Sequence, residues 1–275
     1  MRLRLKSLAK DRDLNNGIPI LLYHRIDDSS VSTATPPLVF RRHLEMLAER
    51  GWRSLSAEEF AMAATRKGSM PQRSFVITFD DGYESVASAA LAVLKEFDFK
   101  AICFLSTRFP RDPMHNPAQS ANNANAHAYL SWEQARMLQS SGVIDCQSHS
   151  HSHRDFRNCS LAEIRHDLAT SVDILSHELN LPANHFRHVA WPWGLSTPEW
   201  RAIARETGFH FQYTVARQSF LPDGALDEIP RTCFDATAFK NFQRQLWLQS
   251  GQLAPVWNAA YPFGRKLWQL KSMFG

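Results

Sequence analysis

Phe75-Val76-Ile77-Thr78-Phe79-Asp80-Asp81-Gly82-Tyr83 is an apolar run that stops abruptly at two acids and a glycine. A short β-favouring run bounded by a turn signal predicts a buried strand, and Gly82 supplies the backbone freedom to turn out of it. Two carboxylates are then left at the strand's C-terminal end. Successive residues on a strand point to opposite faces, so both acids serve one site only if the chain is already turning there, as Asp-Gly favours. A solvated Asp-Gly turn is the other reading of these residues taken alone.

Working outward, Val86, Ala89, Ala90, Val93, Leu94 and Phe97 follow at helical spacing, and Ala101–Leu105 reads as the next buried strand. Upstream, Gly17–Tyr23 predicts a first strand that delivers His24 and Arg25 into the loop after it. Phe40, Leu44 and Leu47 mark a helix ending at Gly51, and Ser56 with Glu59 forms a capping box for a second one. Downstream, Ser131/Gln134 and Ser160/Glu163 box two further helices, Val143–Cys146 and Arg187–Trp191 read as strands, and Thr197-Pro198 opens another helix. Phe211–Val215 and Glu228–Cys233 are the last strand candidates. Strands alternating with helices predict an α/β fold with a parallel sheet, either barrel or open. Residues 107–129, rich in Pro and then Ala, Asn and Ser, predict a long surface loop.

The 275 residues suit one domain, with residues 1–16 as an N-terminal extension, 17–235 as the domain and 236–275 as a helical, basic and aromatic C-terminal appendage. A net charge of +4 is mild, and no nucleic-acid partner is expected. After Asp235 there is no acid, whereas Lys240, Arg244, Arg265, Lys266 and Lys271 are basic and tryptophans stand at 247, 257 and 268. That composition suits docking at a membrane interface, or an ordinary helix packed on the domain. Four cysteines without CxxC spacing predict reduced thiols, buried at Cys103 and Cys146. With no signal peptide and no membrane span read from the sequence, a cytoplasmic location extending to the inner face of the membrane is expected.

His149-Ser150-His151-Ser152-His153 directly follows an apolar strand, so these histidines, like Asp80 and Asp81, lie where parallel α/β folds build sites. His149 and His153, four apart, share a direction if the loop coils as a helical turn. Two imidazoles and one carboxylate leave positions open on a divalent ion, the pattern of a hydrolytic metal site. A polar His-rich loop that meets metal only adventitiously is the alternative.

Thr78-Phe79-Asp80-Asp81-Gly82-Tyr83 and His149-Ser150-His151-Ser152-His153 together resemble the first two motifs of the polysaccharide deacetylases, the NodB-homology group of carbohydrate esterases. Trp191-Pro192-Trp193-Gly194 is similar to the third motif, and Ser131-Trp132-Glu133-Gln134 to the segment preceding the second. Leu22-Tyr23-His24-Arg25 resembles the branch acting on exopolysaccharides such as poly-N-acetylglucosamine. The resemblance implies a distorted (β/α)7-type barrel and a metal-dependent hydrolase that removes N-acetyl groups from the sugars of a polysaccharide or lipid-linked glycan; the expected location favours a lipid-linked or nascent chain. The resemblance further implies Asp81, His149 and His153 as ligands of a divalent metal, usually zinc, Asp80 as general base, and the Tyr83 backbone N–H as oxyanion donor.

Most members carry a general-acid histidine near the C-terminus, and here none follows His210; the resemblance to the exopolysaccharide branch, which uses the histidine of its N-terminal Tyr-His motif, implies His24 as general acid. Many members carry an arginine two residues before the third-motif proline, paired with the catalytic acid; this chain has Ala190. Arg231 resembles an arginine that the exopolysaccharide branch keeps late in the domain, and it is expected to contact Asp80 instead. Trp191 and Trp193 are candidate platforms for a sugar ring. A catalytically silent glycan-binding homologue of the same fold is the competing expectation, with Ala190 as its support.

Overall fold

The computed structural model of the chain describes residues 17–65, 71–109 and 129–262. Parallel strands and covering helices alternate through them: β1 (Ile20–Tyr23), α1 (Pro37–Glu49), β2 (Arg53–Ser54), α2 (Ala57–Thr65), β3 (Ser74–Phe79), α3 (Leu91–Glu96), β4 (Ala101–Leu105), α4 (Trp132–Ser140), β5 (Ile144–Ser148), α5 (Leu161–Leu179), β6 (His188–Ala190), α6 (Pro198–Glu206), β7 (Phe211–Tyr213), β8 (Thr232–Cys233) and α7 (Phe239–Leu248). Capping boxes form at Ser56/Glu59, Ser131/Gln134 and Ser160/Glu163, and Thr197 caps α6 ahead of Pro198. The two-residue β2, which pairs with the start of β3, is too short to show in the sequence pattern.

The strands run β7-β6-β5-β4-β3-β1-β8, all parallel. The sheet curls until its edges meet. Thr214 donates its N–H to the Ile229 carbonyl at 2.8 Å, and Ala216 to that of Arg231 at 2.9 Å, so the segment entering β8 is bonded to the β7 side while β8 itself pairs with β1. Seven strands thus make the distorted (β/α)7-type barrel, with β2 outside the ring.

Alternation along each strand sorts the core into two groups. Phe75, Ile77 and Phe79 pack outward under α1 and α3, with Leu44, Leu47, Leu91 and Leu94. Val76, Ile20, Ile102, Phe104, Tyr213 and Ile229 fill the inside, where Phe60, Ala61 and Ala64 of α2 close the end at which the strands begin. Asp80 keeps the parity of Val76 and Thr78, which aims it inward at the open end.

The segment after 235 is not an appendage as far as it is described. Phe242 and Leu246 of α7 join the outer core, and His43 of α1 stacks on Phe242 at 4.0 Å. A boundary at 235 therefore cuts through packed side chains. Residues 253–262 are also helical, and Asn258 bonds both the N–H and the carbonyl of Ser219. The basic residues at 265, 266 and 271, Trp268, the extension 1–16 and residues 110–128 of the Pro-rich loop lie outside the described residues. Among the described residues no helix is long and apolar enough to cross a membrane, and all four cysteines are free, Cys103 and Cys146 buried.

Candidate active site

The chain leaves β3 with Asp80, whose N–H still donates to the Tyr23 carbonyl at 3.0 Å, and then turns sharply. Asp81 has φ +70° and Gly82 φ +77°. The backbone angle favours glycine at residue 82, and a Cβ there would stand 2.7 Å from Leu105 Cδ2 and displace that side chain. The turn breaks the strand alternation and brings both acids to one cavity.

The His149–His153 loop reaches the same cavity by a different path from the one the spacing suggests. It is no helical turn: Ser150 and His153 are left-handed, with φ +66° and +54°. Asp167, buried on the inner face of α5, holds the loop in this form. It accepts the N–H groups of His151 (2.8 Å) and Ser152 and the Ser152 hydroxyl. His149 donates Nδ1–H to the Ala190 carbonyl at 2.7 Å, which leaves the Nε2 lone pair facing the acids. Burial pushes the His149 pKa down to about 4, so the ring is neutral near pH 7.

Asp81 Oδ1 lies 3.2 Å from His153 Nε2 and 3.5 Å from His149 Nε2, yet it is a buried oxygen without a hydrogen-bond partner. Burial opposes its charge, but the imidazoles of His153 and His149 hold the carboxyl well below the usual range. One ionised oxygen and two imidazole nitrogens converging without hydrogen bonds among them fit a divalent cation of the zinc class.

Asp80 is satisfied differently. Burial opposes its charge too, and Arg231 outweighs it, donating Nη1–H to Oδ1 at 2.6 Å and Nη2–H to Oδ2 at 2.7 Å. Arg231 is wholly buried, bonded also to the Thr78 hydroxyl and the Thr214 carbonyl, with the rings of Phe104 and Tyr213 beside its guanidinium. The arginine expected near Ala190 is thus supplied from the closing segment, and Ala190 contributes only its backbone carbonyl, to His149. Both carboxyls are held below the ordinary range, so they differ in partner and not in the direction of their shift.

His24 follows β1. Its Nδ1 meets Asp235 Oδ2 at 2.5 Å and its backbone N–H donates to Asp235 Oδ1 at 3.0 Å. Burial would lower the imidazole pKa, but Asp235 reverses this and holds it up to about 11. The ring is a cation at neutral pH, and it borders the same cavity as the two acids. Asp235 and Asp167 are the two residues that sequence reasoning missed. A buried acid in the apolar stripe of Ile164 and Leu168, and the last acid of the chain just after a strand, were the available signals.

His24, Asp80, Asp81, Tyr83, His149 and His153 line one cavity of about 460 Å³. Trp193 stands at its rim, 67% exposed, with φ +60°, over His153 at 5.5 Å. Trp191 is not a sugar platform: it is wholly buried against Phe156 and Trp200.

A family model described as polysaccharide deacetylase matches residues 67–212. The poly-beta-1,6-N-acetyl-D-glucosamine N-deacetylase of Staphylococcus epidermidis is 26% identical over 214 residues, 75% of this chain and 70% of that one. The Bacillus subtilis relative YxkH is 24% identical over 197 residues, and this chain spans 64% of its length. Among solved structures, the Streptococcus pyogenes deacetylase PplD superposes with a TM-score of 0.71 (22% identity, 83% of this chain, 97% of that one), and IcaB from Ammonifex degensii with 0.70 (23%, 85% and 97%). These likenesses carry the fold, that of the NodB-homology barrels. The matched segment holds Asp80, Asp81, His149 and His153 but neither His24 nor Arg231 nor Asp235. With its two acids and two histidines at the open end of this barrel, the chain belongs to the polysaccharide deacetylase family.

Proposed function

We propose that this protein is a metal-dependent N-deacetylase of N-acetylated glycans, hydrolysing the amide of an N-acetylhexosamine to the free amine and acetate. The observation that carries this reading is the convergence of Asp80, Asp81, His149, His153 and His24 on one cavity at the C-terminal ends of the strands.

Asp81, His149 and His153 would hold a divalent ion, zinc by preference of the donor set. Bound there, the ion supplies Lewis acidity toward water and the amide carbonyl. Asp80 accepts the proton of the attacking water; Arg231 aims its carboxylate and keeps it ionised, leaving further lone pairs on both oxygens. The Tyr83 backbone N–H donates to the developing oxyanion. His24, charged through Asp235, gives its Nε2 proton to the departing nitrogen. Trp193 offers an exposed ring face to a sugar. A silent glycan-binding homologue loses its one support, because Arg231 fills the role that Ala190 left vacant.

The substrate class follows the named relatives: β-1,6-linked N-acetylglucosamine, met as a lipid-linked or nascent chain at the inner membrane face. Exposed Trp247 and the basic C-terminal residues are the proposed lipid contact. Acetate release from a panel of N-acetylated oligosaccharides, with zinc supplied, tests the activity. Release from the β-1,6-linked oligomers that disappears in Asp80→Asn is expected, and silence across the panel overturns the assignment. Co-sedimentation with anionic vesicles, lost on replacing Arg265, Lys266 and Lys271 with glutamate, tests the docking; indifference to those changes refutes it.

A further inference from the structure

Where the barrel closes, parallel pairing sets Leu22 of β1 opposite Cys233 of β8, and the residues just beyond come together. A ring nitrogen of His24, Cys233 Sγ and a carboxylate oxygen of Asp235 lie within 4.8 Å of one another. The thiol donates to Asp235 Oδ2 at 3.2 Å, the same oxygen that meets His24 Nδ1 at 2.5 Å. One imidazole, one thiol and one carboxylate form a mixed donor set typical of zinc, at about 2.0–2.3 Å from the ion. Ligand atoms around such an ion stand roughly 3.2–3.7 Å apart. The sulfur and the carboxylate already match that spacing; the imidazole must withdraw from Oδ2 by about 1 Å.

His24 and Cys233 both line the catalytic cavity, so an ion entering it reaches this second set of donors directly. Among the described residues two clusters have metal-ligand geometry, and this is the one that contains sulfur.

We propose that His24, Cys233 and Asp235 form a second site for a zinc-class ion, and that filling it switches off hydrolysis. Binding displaces two protons to solvent, the thiol proton and the one shared between Nδ1 and Asp235. The ring then keeps a single proton, on Nε2, as a neutral metal-bound imidazole, which is a far weaker acid than the imidazolium it replaces. The inhibitory effect rests on His24 being the proton donor of the proposed deacetylation; the binding does not.

Cobalt separates the two claims. The ligands Asp81, His149 and His153 offer only nitrogen and oxygen, so a thiolate-to-cobalt charge-transfer band in the near ultraviolet reports the second site alone. Titration of metal-free, full-length protein with Co²⁺ should develop that band with the second equivalent, in Cys159→Ser as in the wild type, and lose it in Cys233→Ser. Acetate release by enzyme carrying one equivalent of zinc should fall about a hundredfold when a second is added. Cys233→Ser, shown to fold and to keep its first ion by its thermal unfolding and by one equivalent of bound zinc, should lose no further rate when excess zinc is added. Saturation at one equivalent without the band, or a band that survives in Cys233→Ser, overturns the site. A normal band with undiminished turnover overturns the inhibition and the assignment of His24 as donor, leaving the site intact.

Discussion

His24 and His149 border one cavity, both largely withdrawn from solvent, and are held in opposite charge states. The difference is the acceptor at Nδ1. For His149 it is the neutral carbonyl of Ala190, which cannot offset burial, and the ring falls to about 4. For His24 it is the carboxylate of Asp235, which overcomes burial and lifts the ring to about 11. Burial alone fixes neither role; the second partner decides whether a buried imidazole offers a lone pair or a proton.

The sharpest break of this contrast is to remove one half of the site at a time. Asp81→Ala should lose both zinc, measured by elemental analysis, and acetate release. Asp80→Asn should keep its zinc while kcat falls about 10³-fold, since only the proton acceptor is lost. Wild-type turnover in either variant would end the division of labour between the two acids.

Asp235→Asn makes His24 resemble His149, and its effect depends on pH. A general acid works only while protonated, so the wild type should hold its rate until the pH nears about 11. The variant should lose rate as pH rises through the ordinary histidine range near 6.5, and at pH 8 kcat should be down about 10–100-fold with metal content unchanged. Stability follows the same sign. A raised folded-state pKa stabilises most below about 6.5, and the benefit fades as pH climbs through the folded value. The variant's melting temperature should therefore fall furthest below the wild type's near pH 6. An alkaline limb that stays in place would refute the pairing.

Asp167→Asn leaves every ligand present but gives the loop N–H groups a poorer acceptor. Zinc affinity should weaken about 10–100-fold, with kcat of the fully loaded enzyme little changed. The smallest effect on catalysis belongs to Trp193→Ala, a several-fold rise in KM on oligosaccharides at unchanged melting temperature. Trp191→Ala, by contrast, should cost about 3–5 kcal/mol of stability.

The legibility of these features in the sequence divides along the same line. Asp80, Asp81, His149 and His153 each sit at the end of an apolar strand, so local pattern places them at one end of a parallel sheet, and the capping boxes locate the helices between. The partners are another matter. Asp235 stands 211 residues from His24 and Arg231 151 residues from Asp80, and such meetings depend on where the sheet closes, which no local period encodes. The resemblance to a family pointed to Arg231; for Asp167 and Asp235 the only signals were position, in an apolar stripe and just after a strand, and neither names the N–H or N⁺–H groups that the acid meets. The two motif-three tryptophans show the same limit: the reversal at left-handed Trp193 sends one ring to solvent and the other into the core.

The closing seam also sets an order of events during biosynthesis. The proposed metal ligands and the carbonyl that orients His149 are all present once the ribosome has passed Ala190, whereas the guanidinium that steadies Asp80 and the carboxylate that charges His24 arrive only at residues 231 and 235. Synthesis runs from the N-terminus, so the proposed ligands are all polymerised before the groups that steady Asp80 and charge His24. On the proposed roles, hydrolytic competence waits for the seam to close, and a polypeptide released before residue 231 would lack both the partner of Asp80 and the partner of His24.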